Sequence, residues 1–165
     1  MPFDIVDYRH FIRTASEKEA KFLFKKEELY DLKTLLKKKN TQHRINNLAK
    51  KYRDKKVIIY GGGKLFYELQ NNYDLSKLNI IAVADMSFLS MTESCNGYKA
   101  IKPEEINSLN PDVILIATQI NYNIENYLKE SLLPKNSRVN VEPIISRTVL
   151  EKLDIRFIKY LRNSR

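Results

Sequence analysis

The chain has 165 residues, 43% of them hydrophobic, with a single cysteine, Cys95, and a formal net charge of +9. That is about one domain with a small appendage, apolar enough to exclude a disordered chain, and one cysteine excludes an intrachain disulfide. No apolar run reaches the ~20 residues a membrane span needs, and Met1-Pro2-Phe3-Asp4 has no basic segment leading into an apolar core, so the expectation is a cytoplasmic protein without a membrane span.

The charge is unevenly placed. From Met1 to Lys56 there are sixteen Lys/Arg against eight Asp/Glu. From Val57 to Glu142 there are seven against ten, and from Pro143 to Arg165 six against two. The basic excess therefore sits at the two ends, and three segments are expected. These are a basic helical segment 1–55, a central domain 56–145 and a C-terminal helix 146–165.

Taken in chain order, Ser16 to Lys39 has helical periodicity. Phe22, Leu29, Leu32 and Leu36 fall on one face, and Lys37-Lys38-Lys39 suits the negative end of a helix. Asn40-Thr41 reads as a break and an N-cap. Gln42 to Arg53 reads as a second helix, with Ile45, Leu48, Ala49 and Tyr52 on one side. Such a helical hairpin buries little alone. It is expected to pack on the central domain or on a second copy of the chain, as a homodimer.

Lys56 to Tyr60 is a short β-branched run, the composition of a buried strand. Gly61-Gly62-Gly63 follows at once, and Lys64 to Leu69 reads as a helix. Asn79 to Ala84 is a second strand ending at Asp85. Asn96-Gly97 is a turn signal, and Tyr98 to Ile101 a short edge strand. Pro103-Glu104-Glu105 opens a helix, since proline suits its first position and acids its positive end. Asp112 to Ala117, the helix Asn123 to Leu132 and the strand Arg138 to Glu142 follow. Strands alternating with helices imply an α/β fold, a Rossmann-like parallel sheet of four to five strands. Thr148 to Leu161 reads as an amphipathic helix opened by a Thr148-x-x-Glu151 capping box.

The chemistry gathers at the first strand-to-helix turn. A phosphate there needs backbone N–H groups facing it and no side chains in the way. Glycine permits both, and the helix N-terminus adds partial positive charge. Gly61 and Gly63 fill the first two places of Gly-x-Gly-x-x-Gly, and Phe66 stands at the third, where a small residue would let helix and strand approach. Asp85 lies about where an acid would accept a hydrogen bond from a ribose hydroxyl. Its alternative role is to cap the next turn, as the alternative for the glycines is a tight turn without a ligand. Lys64 either reaches a phosphate or is solvated. Thr118 and Gln119 follow the third long strand, at the edge where ligands bind in open α/β sheets. The cofactor-binding candidates are thus Gly61, Gly62, Gly63, Lys64, Asp85 and Thr118. The Gly-x-x-x-x-Gly-Lys-Ser/Thr pattern of a P-loop is absent, as are a Tyr-x-x-x-Lys pair and a Ser/His/Asp set. His10, His43 and Cys95 form no cluster with metal-ligand spacing. No complete catalytic set is visible, which leaves enzymatic activity open, and no metal site is expected.

Val57-Ile58-Ile59-Tyr60-Gly61-Gly62-Gly63, Ile81 to Asp85, Gly97 to Ile106 and Pro111 to Thr118 are together similar to the CoA-binding or nucleotide-sugar-binding Rossmann-like domains of bacterial sugar-modifying and polysaccharide-biosynthesis proteins. The resemblance covers about half the chain, and its motifs are shared across many functions. It implies a nucleotide-type ligand, such as NAD(P), CoA or a nucleotide-sugar, with phosphates at Gly61 and Gly63 and ribose or base at Asp85. The hexapeptide repeats of the sugar acyltransferases and the extra domain of the sugar methyltransferases are missing. The expected function is a binding or accessory role in sugar or glycan metabolism. The alternatives are a nucleotide-dependent enzyme whose site is completed at a dimer interface, and an NAD(H)-sensing, nucleic-acid-binding regulator, since redox-sensing repressors of the Rex type look similar in segment order.

Overall fold

The computed structural model describes residues 32–88, 94–118 and 121–146. Of the expected elements, the terminal helix Thr148 to Leu161 and residues 16–31 of the first helix lie outside these. The chain divides into two compact units, Met1–Leu35 and Leu36–Arg165. In the first, only the opening residues of helix α1 (Leu32–Lys38) are described.

The second unit is a mixed α/β structure. Its elements are α2 (Thr41–Lys51), β1 (Val57–Tyr60), α3 (Lys64–Asn72), β2 (Ile80–Ala84), β3 (Ser94–Cys95) and β4 (Tyr98–Ile101). A 3₁₀ segment Pro103–Leu109, β5 (Val113–Ile116), α4 (Asn121–Tyr127) with a π-helical continuation Leu128–Leu132, and β6 (Asn140–Pro143) complete it. The six strands form one sheet in the order β3-β4-β2-β1-β5-β6. All neighbours are parallel except β3 and β4.

Six strands exceed the four to five expected. The extra one is β3, whose two residues are too few to carry a composition signal. Asn96 and Gly97 have φ of 50° and 86°, and a two-residue hairpin turn with both central residues at positive φ folds β3 back on β4. Tyr98 to Ile101 is consequently not the edge strand, because β4 lies between β3 and β2. The helix expected from Pro103 is a 3₁₀ segment. Glu105 accepts the Lys102 N–H at its start, 2.8 Å. Seven residues on, Asn110 turns left-handed (φ 47°) ahead of Pro111, which stops the helix. The expected continuous helix to Leu132 also changes form: after Tyr127 the winding widens, and Leu133 N–H reaches back five residues to Leu128 O at 2.9 Å.

All four residues of β1 and of β5 are buried, which is why both read as unbroken apolar runs rather than alternating ones. Side chains alternate across the sheet. On one face Ile58, Tyr60, Ala82, Ala84, Ile114, Ile116 and Val141 pack with Ile106, Leu128 and Leu133. Val57, Ile59, Val83, Val113 and Leu115 bury the other face completely. Each such aliphatic side chain contributes about 1.5–3 kcal/mol on leaving water.

Helix α2 belongs to this same unit. Asn40 marks the break before it, with a left-handed backbone and no side-chain cap. The capping chemistry expected of Asn40-Thr41 is different in the fold. Thr41 is buried and its hydroxyl donates backwards to Leu36 O, 2.6 Å, so it closes the preceding helix rather than opening the next. On the other flank of α2, Glu142 of β6 gathers three donors. Arg44 Nη2 lies 2.5 Å from Oε2, Lys51 Nζ lies 2.6 Å from Oε1, and the Tyr52 hydroxyl donates to Oε1. Burial alone would raise the Glu142 carboxyl; the Lys51, Tyr52 and Arg44 hydrogen bonds outweigh it and hold the group below the ordinary carboxylate range. At the amino ends of the inner strands, Asp112 accepts the Lys56 N–H at 2.8 Å and ties the start of β1 to the start of β5.

Candidate functional site

Strand order reverses at β1. The chain runs from β1 outward through β2 to β4 on one side, then returns through β5 to β6 on the other. Connections leaving β1 and β5 therefore diverge beyond their carboxyl ends, the place where ligands bind in open α/β sheets.

The glycine turn occupies that place. Gly61 N–H donates to Ala84 O and Ala117 N–H donates to Tyr60 O, both at 2.8 Å. The turn is thus stitched between the ends of β2, β1 and β5. Gly61 has φ of +109° and no room for a side chain: a Cβ there would lie 2.6 Å from Thr118 Cγ2 and 2.8 Å from Ala117 O. Gly62 is crowded from the other side. Its Cβ would lie 2.5 Å from Phe88 Cζ and 3.2 Å from Cys95 Sγ.

Gly63 differs from both. Its φ of −84° suits any residue, and none of the described residues lies within 4 Å of where its Cβ would be. It precedes α3, whose N-terminus carries no side-chain cap. The first N–H groups of a helix have no partner within it and carry partial positive charge. Lys64 follows as the first residue of α3. It is exposed, and no hydrogen bond or ion pair engages it among the described residues.

Asp85 takes up the role of a brace. Its Oδ2 accepts the Gly62 N–H at 2.7 Å, while Oδ1 accepts the Ser87 N–H at 2.8 Å and the Ser87 hydroxyl at 2.7 Å. One carboxylate thereby fixes both the glycine turn and the turn after β2. Each oxygen has more than one acceptor position, so Oδ2 retains capacity for a further donor.

Thr118 lies two residues past the end of β5, beside Gly61. Its Oγ1 is buried and has no hydrogen-bond partner among the described residues. Cys95 lies behind the turn, with Sγ 3.9 Å from Gly62 O. Burial pushes its thiol up, and the Asp85 carboxylate pushes the same way. A reactive cysteine needs the opposite environment.

The fold brings the sequence candidates into one place: Gly61 against Thr118, Gly62 on Asp85, and Gly63 with Lys64 at the open start of α3. Gln119 lies outside the described residues. Phe66, at the third fingerprint position, is fully buried and packs its ring 5.9 Å from that of Tyr98. It fills the space between α3 and the sheet that a small residue would have closed. Ser87, Phe88 and Cys95 were not evident as neighbours of the turn. Asp85-x-Ser87 carries the local signal of an Asx turn, whereas no local signal brings Cys95 across from β3. Among the described residues no group of three or more His, Cys, Asp or Glu is placed to hold a metal ion.

The family model of the C2185-like N-terminal domain matches residues 53–139. The chain belongs to this family. The matched span contains the glycine turn, Asp85 and Thr118, and ends just before β6. No curated protein and no solved structure matches the chain.

Proposed function

We propose that this chain is a Rossmann-like nucleotide- or nucleotide-sugar-binding protein that holds its ligand's phosphates at the Gly61–Gly63 turn and acts as an accessory module in sugar or glycan metabolism. The observation that carries the reading is Gly63. Gly61 and Gly62 are glycines because the fold leaves them no room. Gly63 has room and an ordinary backbone, so nothing inside the described fold requires glycine there. A phosphate approaching the bare start of α3 would require it. Lys64, which pairs with none of the described residues, supplies a cation beside that point, and Asp85 retains acceptor capacity for a ribose hydroxyl. The metabolic setting rests on the sequence resemblance alone.

The test is a thermal-shift panel with NAD(H), NADP(H), CoA, S-adenosylmethionine and several nucleotide-sugars, on the native chain and on Gly63→Val. A ligand at a hundredfold its dissociation constant stabilises the native state by about 2.7 kcal/mol, or roughly 5–10 °C for a domain of this size. The expected outcome is such a shift for one ligand class, abolished in Gly63→Val although that variant folds. If no nucleotide shifts the native chain, or Gly63→Val binds as the native chain does, the reading fails.

A further inference from the structure

We infer that the solvent side of helix α2, with the chain that enters and leaves it, is a docking surface for the phosphate backbone of a nucleic-acid duplex. The inference is independent of the glycine turn and adds a macromolecular partner to the small ligand proposed there.

The starting point is charge without compensation. Residues 36–56 carry nine Lys/Arg and one acid, Asp54, whereas acids outnumber bases from Val57 to Glu142. The fold supplies partners for part of this excess. Glu142 takes Arg44 and Lys51, Asp112 takes Lys55 at 3.6 Å, and Lys56 Nζ donates to Leu109 O. It supplies none for Lys37, Lys50 and Arg53. All three are exposed, and no ion pair engages them among the described residues. Like charges held together repel one another and weaken the compact state, and a polyanion laid across them relieves that repulsion.

The pattern along α2 suits a backbone contact. Thr41, Ile45, Leu48 and Ala49 are its buried side. His43, Asn47 and Lys50, four and three residues apart, are exposed on the other. Cations and neutral hydrogen-bonding side chains are what contacts to phosphate and sugar use. Lys37 stands just before α2, in the last turn of α1 and within the same compact unit, and Arg53 stands just after it. Cations therefore flank both ends of the helix. From His43 to Lys50 the axis rises about 10 Å, the rise of about three phosphates along one strand of a duplex. Two other polyanions suit this side less well. An anionic membrane takes up apolar side chains beside the cations, and Ile45 and Leu48 of α2 are fully buried. Single strands stack on exposed aromatic rings, and the one such ring near this helix, Tyr52, is buried.

Binding of a short fluorescein-labelled DNA duplex to the full chain is followed by anisotropy between about 50 and 200 mM salt. The first variant is Lys37→Gln/Lys50→Gln/Arg53→Gln, and the second is the conservative set Lys37→Arg/Lys50→Arg/Arg53→Lys. The third, Lys99→Gln/Lys135→Gln/Arg138→Gln, removes equal charge at exposed positions elsewhere. Unlabelled single strand, polyglutamate and vesicles of anionic phospholipid are the competitors. The native chain is expected to bind unrelated duplex sequences alike. The first variant binds roughly tenfold or more weakly, and its slope of log affinity on log salt is smaller by about 2–3, for three phosphate contacts at about 0.9 each. The conservative set retains affinity and slope, and the remote set stays close to native. If the first variant melts well below the native chain, Lys50→Gln and Arg53→Gln singly decide in its place, each lowering the slope by about 1.

The inference is overturned if the native chain binds no duplex, or if the remote set weakens binding as much as the α2 set. Competition by polyglutamate, vesicles or single strand as effective as that by unlabelled duplex overturns it as well, because the surface would then be selective for charge alone or for another partner.

Discussion

Replacing the three glycines by alanine one at a time separates the residues the fold needs from the residue a ligand would need. At Gly61 the added methyl meets two penalties. The backbone at φ +109° costs a non-glycine residue about 1–3 kcal/mol. The Cβ would also lie 2.8 Å from Ala117 O, a backbone atom held by the β1–β5 pairing, and overpacking of that kind costs roughly 1–3 kcal/mol more. Together these amount to about 2–6 kcal/mol, or on the order of 4–24 °C in melting temperature for a domain of this size. At Gly62 the nearest obstruction is the tip of the Phe88 ring, the far end of a half-buried side chain rather than backbone, so about 1–2 kcal/mol is expected. At Gly63 the methyl meets none of the described residues within 4 Å. The loss of a favourable N-cap and the stiffening of the unfolded chain oppose each other there, and the net change stays within about 1 kcal/mol. Urea unfolding followed by circular dichroism measures all three. The order Gly61→Ala worst, Gly62→Ala intermediate and Gly63→Ala near neutral is expected. A Gly63→Ala variant as unstable as Gly61→Ala would refute the argument, because glycine at 63 would then be a demand of the fold.

Two further expectations follow from groups outside the turn. Glu142→Gln weakens the junction of α2 with β6, where three donors converge on the carboxylate, by about 1.5–3 kcal/mol at neutral pH. The folded-state pKa of Glu142 lies below its ordinary value of 4.5. Its contribution is therefore complete above the unfolded-state value and is lost as pH falls through the folded-state one. The difference between native and Glu142→Gln stability should shrink below about pH 4.5, and a difference that is constant from pH 7 to 3 would show that the charge of Glu142 contributes nothing. Cys95 should resist iodoacetamide at neutral pH in the native chain and react fully in urea, since burial and Asp85 both disfavour its thiolate. Alkylation of the folded protein as fast as of the unfolded one would place the thiol in solvent.

The central architecture was legible in the sequence because its signals are local. Val57 to Tyr60 and Val113 to Ile116 are continuous apolar runs, and only strands covered on both faces need that. Three glycines directly after the first run mark the β1–α3 turn through backbone chemistry that operates within a few residues. Asn96-Gly97 marked the hairpin turn for the same reason. Asp85, Lys64 and Thr118 were reached by position, each one step beyond a strand end or at the start of a helix.

Tertiary structure decided the rest. Local composition cannot distinguish Gly61, Gly62 and Gly63, because what separates them is Thr118, Phe88 and Cys95 arriving from three other places in the chain. It cannot show that Asp85 already holds the Gly62 N–H, or that Thr118 Oγ1 is left without a partner, since hydrogen-bond accounting requires every neighbour to be in place. Nor could it make Tyr98 to Ile101 an inner strand, because two residues at β3 bury too little to leave a pattern. The chain by itself determines where a turn, a strand or a helix begins, through preferences of single residues and their near neighbours. Which of those residues remain open to a ligand is determined only when distant side chains have filled the space around them.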